Sequence, residues 1–289
     1  MKQWGPRKST LVRLIELLNE NIMKVNQTLS RLRNNEIVVG VALQQYRSTE
    51  IPRLLAAVGF DYLFIDSEHG GFSLETVQDL IIASNQSGIT PFVRVGEMLY
   101  SLVTRVLDVG AQGIIFPRVE SASALAEAIS WMKYPPYGTR GFGFMAPQLD
   151  YEQLSMPDIM EHLNAQTMVI VQFETALSIE KCDELLAVPG IDVAMVGPTD
   201  LSISLGVPGE FEHPKILEAI RVFVAACERH GVVPGIHCRN CEMALPWLKR
   251  GMRFLGCGSE HGMMLEKARD TMTEVRTAMS ELTTTSGIV

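Results

Sequence analysis

From residue 37 onward, short apolar runs alternate with longer stretches in which apolar residues recur at helical spacing. A strand repeats every two residues and an α-helix every 3.6, so this alternation predicts strands that are each followed by a helix. Serine precedes several of the helical stretches and glycine follows several of them, as residues at helix starts and ends commonly do. Eight runs are predicted to be strands, namely 37–43, 62–66, 90–95, 113–119, 168–174, 191–197, 232–238 and 253–259.

The predicted strands decide the fold class. They are apolar on both faces, which is typical of a parallel sheet covered by helices. Eight strand–helix units in roughly 250 residues match an α/β protein of the (β/α)₈ TIM-barrel type. A doubly wound open sheet is the alternative, but no glycine-rich dinucleotide fingerprint follows the first strand. We therefore predict a barrel catalytic domain over residues 36–289.

Two segments fall outside the repeat. Residues 1–35 are predicted to form an N-terminal helical extension, with a helix over residues 8–33 that could close the bottom of the barrel or pack against another subunit. Residues 141–167 form a long insertion with glycine, proline and methionine, which suits an active-site loop followed by a short helix.

Composition and charge narrow the class of function. Of the 289 residues 47% are hydrophobic, enough for a substantial core, and the net charge of −8 argues against a nucleic-acid or anionic-membrane surface. No apolar run approaches the ~20 residues that span a bilayer, and the first residues do not read as a signal peptide. The five cysteines show no disulfide framework. We expect a cytoplasmic protein whose partners are neither nucleic acid nor membrane.

The ends of the second and third predicted strands carry charged residues. In a barrel of this type the active site lies at the C-terminal ends of the strands, and charged groups buried there must pair or bind an ion. Asp66 ends the second strand and His69 follows it, so Asp66 could fix the tautomer of the imidazole and raise its basicity for a general base. A lone satisfied histidine is the alternative. Arg94, on the third strand, has a forked guanidinium that suits an oxyanion or a carboxylate.

Two acidic residues lie at or just after the ends of the fifth and sixth predicted strands. Glu174 lies two residues after Gln172 and therefore on the same face, and Asp200 follows the sixth strand in the sequence GPTD. Like charges from adjacent strands repel, and a divalent cation is a common reason to tolerate them. An all-oxygen site with open positions suits Mg²⁺ or Mn²⁺ and a chelating substrate, with Co²⁺ as a further option. Alternatively, Glu174 pairs with Arg94 or Arg118, and Asp200 caps a helix.

Further candidates lie at the mouths of other strands. The backbone N–H groups of residues 197–200 could hold an anionic group at a helix start. His237 and His261 follow the seventh and eighth strands and are candidates for substrate contact. Phe142, Phe144 and Met145 in the long insertion suggest that the site accommodates a bulky or weakly charged substrate group.

Six segments carry a family resemblance: FDYLFIDSEHG, PFVRV, DVGAQGIIFPRVES, KYPPYGTRG, VQFET and GIDVAMVGPTDLSISLG. They occur in the order and at the strand ends typical of the HpcH/HpaI aldolase family, the metal-dependent class II pyruvate aldolases, which include enzymes of the 2-keto-3-deoxy and 2,4-dihydroxyhept-2-ene-1,7-dioate type. The resemblance covers about residues 36–275. It implies a barrel whose last helix is exchanged between subunits of a homo-oligomer, usually a hexamer built as a trimer of dimers.

The resemblance also implies an activity and its residues. The activity is reversible cleavage of a 2-keto-4-hydroxy acid to pyruvate and an aldehyde, through a metal-bound pyruvate enolate, with a divalent metal ion as cofactor. Catalytic roles would belong to His69 with Asp66, as the dyad that activates a water, and to Arg94, which stabilises the enolate oxygen. The remaining roles are metal binding by Glu174 and Asp200, and substrate binding by Gln172, Gly197, Pro198, Thr199 and Asp200.

Other activities remain open on the same residues. An oxaloacetate decarboxylase or an enzyme like macrophomate synthase would use the same enolate, whereas a CoA-ester lyase is disfavoured because no nucleotide-binding element is evident. A non-enzymatic barrel that serves as a binding or scaffold protein would show a broken set of residues, and here the set is complete.

Overall fold

The computed structural model describes residues 23–143, 149 and 154–286. Its eight strands are all parallel and close into one barrel, in which each strand pairs with its neighbours in sequence and β8 pairs with β1. The strands are β1 (Val38–Leu43), β2 (Tyr62–Asp66), β3 (Thr90–Arg94), β4 (Gly113–Phe116), β5 (Met168–Phe173), β6 (Val193–Val196), β7 (Val233–Cys238) and β8 (Phe254–Ser259). Each lies within a run that the sequence predicted, so the predicted (β/α)₈ barrel is confirmed.

Helices cover the barrel from outside. They are α1 (Gln27–Arg33), α2 (Glu50–Val58), α3 (Leu74–Ser87), α4 (Tyr100–Asp108), α5 (Ala122–Ser130), α6 (Met156–Gln166), α7 (Ala176–Glu180), α8 (Cys182–Leu186), α9 (Pro198–Ser204), α10 (Pro214–His230), α11 (Cys241–Leu248) and α12 (Glu260–Ser286). The end signals act as predicted. Ser73 and Ser121 accept hydrogen bonds from the first turns of α3 and α5, and Gly88 and Gly231 end α3 and α10 in the left-handed conformation.

Side chains along each strand point alternately outwards and inwards, and the barrel therefore has two separate apolar regions. Outward-facing side chains form the large core between the sheet and the helices, and inward-facing ones fill the lower barrel. Tyr62 stacks on Phe254 with ring centroids 4.1 Å apart, and Phe92 lies beside both rings. This packed floor leaves the upper, C-terminal end of the barrel for polar groups.

Helix α1 closes the lower end of the barrel. Leu29 and Leu32 pack into the same interior cluster as Tyr62, so closure of the bottom, one of the two roles considered for the extension, is confirmed for this helix. Asn26 caps it by accepting from the Leu29 amide at 2.9 Å. Residues 23–26 are not helical, so the predicted helix over residues 8–33 is not continuous, and its part before residue 23 lies outside the described residues.

The long insertion contains the predicted short helix, α6, which starts after the N-cap Ser155. Phe142 lies against Tyr134, with ring centroids 5.6 Å apart. Phe144 and Met145 lie outside the described residues. None of the helices within residues 23–143 and 154–286 combines the length and hydropathy needed to cross a bilayer.

Candidate active site

The site is built from inward-facing residues at the upper ends of β2, β3 and β5. Asp66 and Arg94 are direct register partners on β2 and β3, and both are buried. Phe64, one layer below, lies beneath the guanidinium, with its ring centroid 4.9 Å from the central carbon of Arg94. Because side chains alternate along a strand, residues 64 and 66 both point into the barrel interior, the first apolar and the second charged.

Asp66 is held as a carboxylate by an unusually complete set of donors. Arg94 donates from Nε to Oδ1 at 3.0 Å and from Nη2 to Oδ2 at 2.6 Å, and the Gln44 side-chain amide donates to Oδ2 at 2.8 Å. The backbone amides of Glu68 and His69 both donate to Oδ1. Burial acts to raise the pKa of Asp66, but the hydrogen bonds and charge of Arg94 and the Gln44 amide outweigh it, and the pKa lies below its ordinary value.

The expected contact between the side chains of Asp66 and His69 is not formed. Asp66 binds the backbone amide of His69 at 3.2 Å, and the imidazole is 60% exposed, with Nε2 4.0 Å from Glu68 Oε1. The physical reason is that Arg94, Gln44 and two amides already occupy the lone pairs of Asp66. Asp66 therefore fixes the loop that carries His69 and leaves the ring facing solvent.

Glu174 and Gln172 continue the polar network across β5. Gln172 Nε2 donates to Glu174 Oε2 at 2.6 Å, and Arg94 Nη1 lies 3.4 Å from Gln172 Oε1. The Arg118 amide donates to Glu174 Oε1 at 2.8 Å. Burial raises the pKa of Glu174, the Arg118 amide opposes this, and the negative charges of Glu68 and Asp200 add to it. A buried carboxylate in this setting gains from a nearby cation.

Asp200 lies at the rim of the same site, in the first turn of α9. Its Oδ1 is 3.9 Å from Nη2 of Arg118, which also approaches Glu68. In the turn before it, the Gly197 amide donates to Phe173 O within the sheet, and Pro198 has no N–H. Among the four predicted substrate-binding residues of this turn, the amides of Thr199 and Asp200 are therefore the ones left in the first turn of the helix, where an amide has no intrahelical acceptor.

Sequence reasoning left three residues out of the site. Glu68 turns inwards, and its Oε2 lies 3.1 Å from Arg94 Nη1 as an ion pair, although no donor in the described part of the chain is aligned for a hydrogen bond to that buried oxygen. Gln44, just after β1, holds Asp66. Glu260, at the start of α12, accepts from the backbone amides of three consecutive residues after β1, Gln44 to Tyr46. Gln44 and Glu260 directly follow β1 and β8. The rule that active-site residues lie at the C-terminal ends of the strands could therefore have identified both.

Gly197 provides space beside Glu174. A Cβ at this position would lie 2.7 Å from Gln172 Nε2 and 2.9 Å from Glu174 Oε2, so a side chain there would displace both groups. The φ angle of −97° does not require glycine. Glycine is therefore needed at this position because it leaves room for the Glu174 carboxylate, and not because of its backbone conformation.

The oxygen set fits a divalent cation with open coordination. Glu174 is buried and close enough to Asp200 and Glu68 to be affected by their negative charges, and one oxygen of Glu68 has no aligned donor among the described residues. Within the residues that the structure describes, no cluster of three or more His, Cys, Asp or Glu side chains could hold a metal by itself. Two protein carboxylates with the other positions left to substrate and water suit Mg²⁺, which retains several waters in most protein sites.

The two weaker histidine candidates differ in position. His237 points into the barrel opposite Gly256, packs edge-on against Phe64 at 5.2 Å, and has a buried Nδ1 with no partner among the described residues. Burial, helped by Arg94, lowers the pKa of His237 to about 4, so the ring is neutral near pH 7. His261 lies outside the interior, with its Nδ1 3.4 Å from Glu260 Oε2.

Known proteins are similar to this chain in sequence and in fold. The family model described as HpcH/HpaI aldolase/citrate lyase matches residues 47–266. The 4-hydroxy-4-methyl-2-oxoglutarate aldolase tasA of Hapsidospora irregularis is 39% identical over 219 residues, 74% of this chain and 81% of the relative. Other relatives are also aldolases.

Solved structures agree with this assignment. An HpcH/HpaI aldolase from Desulfitobacterium hafniense DCB-2 has a TM-score of 0.82 at 29% identity and covers 86% of this chain and 95% of its own. Macrophomate synthase has a TM-score of 0.78 at 26% identity and covers 89% of this chain and 90% of its own. The chain therefore belongs to the HpcH/HpaI aldolase/citrate lyase family and is an aldolase, a lyase of carbon–carbon bonds.

Proposed function

We propose that the protein reversibly cleaves a 2-keto-4-hydroxy acid to pyruvate and an aldehyde, with a divalent metal ion held by Glu174 and Asp200. One observation carries the proposal: a continuous polar chain runs from Asp66 through Arg94 and Gln172 to Glu174 across the upper end of the barrel. This arrangement joins a fixed positive charge to a buried carboxylate that a nearby cation would stabilise, and both groups suit the binding and enolisation of a keto acid.

The metal ion would be Mg²⁺ or Mn²⁺, with Co²⁺ as a further option, because the donors are hard oxygens. When bound, such an ion polarises the carbonyl group of the keto acid. Gln172 orients Glu174 through their 2.6 Å hydrogen bond, and Gly197 leaves the space beside it open. The amides of Thr199 and Asp200 would bind the carboxylate of the substrate.

Arg94 would stabilise the negative charge that develops on the keto oxygen. Its Nε and Nη2 are occupied by Asp66, whereas Nη1 makes a long contact of 3.4 Å with Gln172 and an ion pair at 3.1 Å with Glu68 Oε2 that is not aligned as a hydrogen bond. Nη1 is therefore the least committed of the three nitrogens and the donor that would turn to a substrate oxygen. Because Asp66 and Phe64 hold the guanidinium, little reorganisation accompanies the charge development.

His69 would act as the base, through a water molecule. The methyl proton of pyruvate passes to this relay, its bonding pair forms the C2–C3 double bond of the enolate, and the keto C=O π pair moves to the keto oxygen. As C3 then attacks the aldehyde carbon with the C2–C3 π pair, the keto C=O bond re-forms. The aldehyde π pair moves to the aldehyde oxygen, which takes the proton back as the new hydroxyl. The reverse sequence is the cleavage. Exposure of the imidazole supports a water-mediated role, since the ring can reach solvent.

Assembly through α12 is part of the proposal. Leu265, Met272 and Val275 recur at spacings of seven and three along one side of this helix and are about half exposed. A half-exposed apolar stripe of this period suits packing against a helix of a second copy. We therefore propose a homo-oligomer in which α12 is exchanged between subunits, with a hexamer, a trimer of dimers, as the expected size.

Proton–deuterium exchange at the pyruvate methyl group, followed by NMR, tests this function without knowledge of the aldehyde. We expect exchange after chelation and addition of Mg²⁺ or Mn²⁺, none with chelator alone, and a loss of at least a hundredfold in His69→Ala. Exchange that is unaffected by chelation would refute the metal role. Absence of exchange with every divalent ion would refute the pyruvate chemistry.

A second enolate reaction is favoured by the structural similarity to macrophomate synthase. The same residues could stabilise an enolate formed by loss of CO₂ from oxaloacetate. Product analysis with oxaloacetate separates the two activities, because decarboxylation releases CO₂ without any aldehyde. We expect the aldol reaction to have the higher kcat/KM, and the opposite ranking would make decarboxylation the principal activity.

A further inference from the structure

We propose that Arg118 selects the second substrate, by binding a carboxylate of the aldehyde or ketone that accepts the pyruvate enolate. The enzyme would then prefer acceptors that carry their own negative charge. The inference rests on the proposed function, because it concerns the other substrate of the same reaction.

The backbone of Arg118 is anchored to the reaction centre. The residue follows β4 and Pro117, and its amide donates to Glu174 Oε1 at 2.8 Å. Its φ angle of 49° lies in the left-handed region, which side chains with a Cβ adopt rarely. The hydrogen bond and this conformation together fix where the side chain leaves the chain, directly beside the carboxylate that is proposed to bind the metal.

The guanidinium of Arg118 has unused hydrogen-bonding capacity. It is 62% exposed, and its nearest carboxylate oxygens are Glu68 Oε1 at 3.8 Å and Asp200 Oδ1 at 3.9 Å. Both distances exceed the 2.7–3.2 Å of N–H···O hydrogen bonds. Among the described residues, no acceptor receives a hydrogen bond from this side chain, although guanidinium carries five donors. Arg94 differs in this respect, because its Nε and Nη2 both donate hydrogen bonds to Asp66.

Charge balance favours an anion at Arg118. A cation bound at Glu174 and Asp200 would neutralise Asp200, one of the two acids near the guanidinium, and would weaken the long contact between them. The planar, exposed guanidinium would then be available for a carboxylate, which it can bind through two parallel hydrogen bonds. Arg94 cannot take this role, since it is buried against Asp66.

This inference differs from the expectation of a weakly charged acceptor drawn from the long insertion. Of the three residues behind that expectation, only Phe142 is described, and its ring lies against Tyr134. Arg118, in contrast, lies within 4 Å of two acids of the site itself. Because Arg118 is charged and its amide binds Glu174, it carries more weight for substrate specificity than Phe142.

The test compares anionic and neutral acceptors with the full-length, Mn²⁺-loaded protein. The anionic aldehydes are glyoxylate and succinic semialdehyde, and the neutral ones of matching chain length are glycolaldehyde and butanal. For each variant, kcat/KM for aldol addition is divided by that variant's rate of pyruvate methyl exchange, so that a general loss of activity cancels. The variants are Arg118→Gln, Arg118→Lys, and Arg53→Gln as a control of matched exposure on α2, outside the barrel.

We expect the wild-type protein to favour the anionic members, and Arg118→Gln to lower the anionic-to-neutral ratio between about 10- and 100-fold. Arg118→Lys should give an intermediate ratio, because it keeps the charge and loses the paired donors, and Arg53→Gln should leave the ratio unchanged. An unchanged ratio in Arg118→Gln, or a wild-type preference for the neutral aldehydes, would overturn the inference while methyl exchange still supports the aldolase. Loss of methyl exchange in the wild-type protein would instead refute the proposed function, and the inference with it.

Discussion

Arg94 donates two hydrogen bonds to Asp66, one to each carboxylate oxygen, at 3.0 and 2.6 Å. The two residues are register partners on adjacent strands, so the sheet itself sets their separation. Both side chains are buried, and a buried pair of this geometry is sensitive to the loss of either member. This pair fixes the positive charge on which the proposed enolate chemistry depends.

Asp66→Asn is expected to lower the free energy of unfolding at pH 7 by roughly 3 kcal/mol, because it removes the carboxylate that binds the buried Arg94 and leaves the ion pair with Glu68 in its place. The folded-state pKa of Asp66 lies below its unfolded value of about 3.9, so the wild-type stabilisation is present above that pH and disappears as pH falls through the folded pKa. Asp66→Asn should therefore not show this loss of stability at acidic pH. Urea unfolding from pH 2 to 7 measures both effects.

The exposed pair between Asp183 and Arg229 gives the comparison for that experiment. Asp183→Asn removes a carboxylate that also binds an arginine through two nitrogens, but in solvent, so its effect should be far smaller. Equal losses of unfolding free energy in the two variants would mean that burial does not increase the contribution of Asp66 to stability.

Gly197→Ala is expected to weaken Mn²⁺ binding at least tenfold, because the added Cβ would displace Gln172 and Glu174. The φ angle of −97° permits alanine, so any loss of stability would come from these displaced side chains and not from backbone strain. Isothermal titration with Mn²⁺ measures the affinity apart from catalysis. Gly71→Ala is the control, since a Cβ at that position meets only the end of Arg47 at 3.7 Å. Unchanged Mn²⁺ affinity in Gly197→Ala would contradict metal binding at Glu174.

Glu260→Gln is expected to lower stability by about 2 kcal/mol and to slow pyruvate methyl exchange roughly tenfold. The Glu260 carboxylate binds three consecutive backbone amides, including that of Gln44, whose side chain holds Asp66. A glutamine accepts less strongly and presents an NH₂ group to these donors. Thermal unfolding and the exchange assay measure the two effects, with the exposed Glu266→Gln on the same helix as control. A loss of stability without any change in exchange would limit Glu260 to a structural role.

The double variant Met272→Glu, Val275→Glu is expected to reduce the molar mass of the protein to that of a smaller assembly or a monomer. Both side chains are about half exposed, and charges there would have to be buried if α12 packs on a second copy. Light scattering after size-exclusion chromatography gives the mass. Thr273→Glu, Thr277→Glu adds the same charge on the other side of the helix and should leave it unchanged. An unaltered mass in the first variant would argue against assembly through this stripe.

Local patterns in the sequence determined the architecture. A period of two in eight short runs and a helical period between them require parallel strands covered by helices, because only that arrangement buries both faces of each strand. The same period places Gln172 and Glu174 on one face, and parallel strands bring their ends to one edge. The candidate residues of β2, β3 and β5 were therefore found together at the upper end of the barrel, as predicted.

Only the tertiary structure decided which of these groups bind one another. The sequence suggested His69 as the partner of Asp66 because the two are three residues apart, whereas the barrel places Arg94, 28 residues away, directly opposite. Glu260 reaches the loop after β1 across 216 positions because closure makes β8 the neighbour of β1. Periodicity along a chain specifies the face of each residue, but partners are chosen by strand register and barrel closure, which bring together residues with no local signal in common.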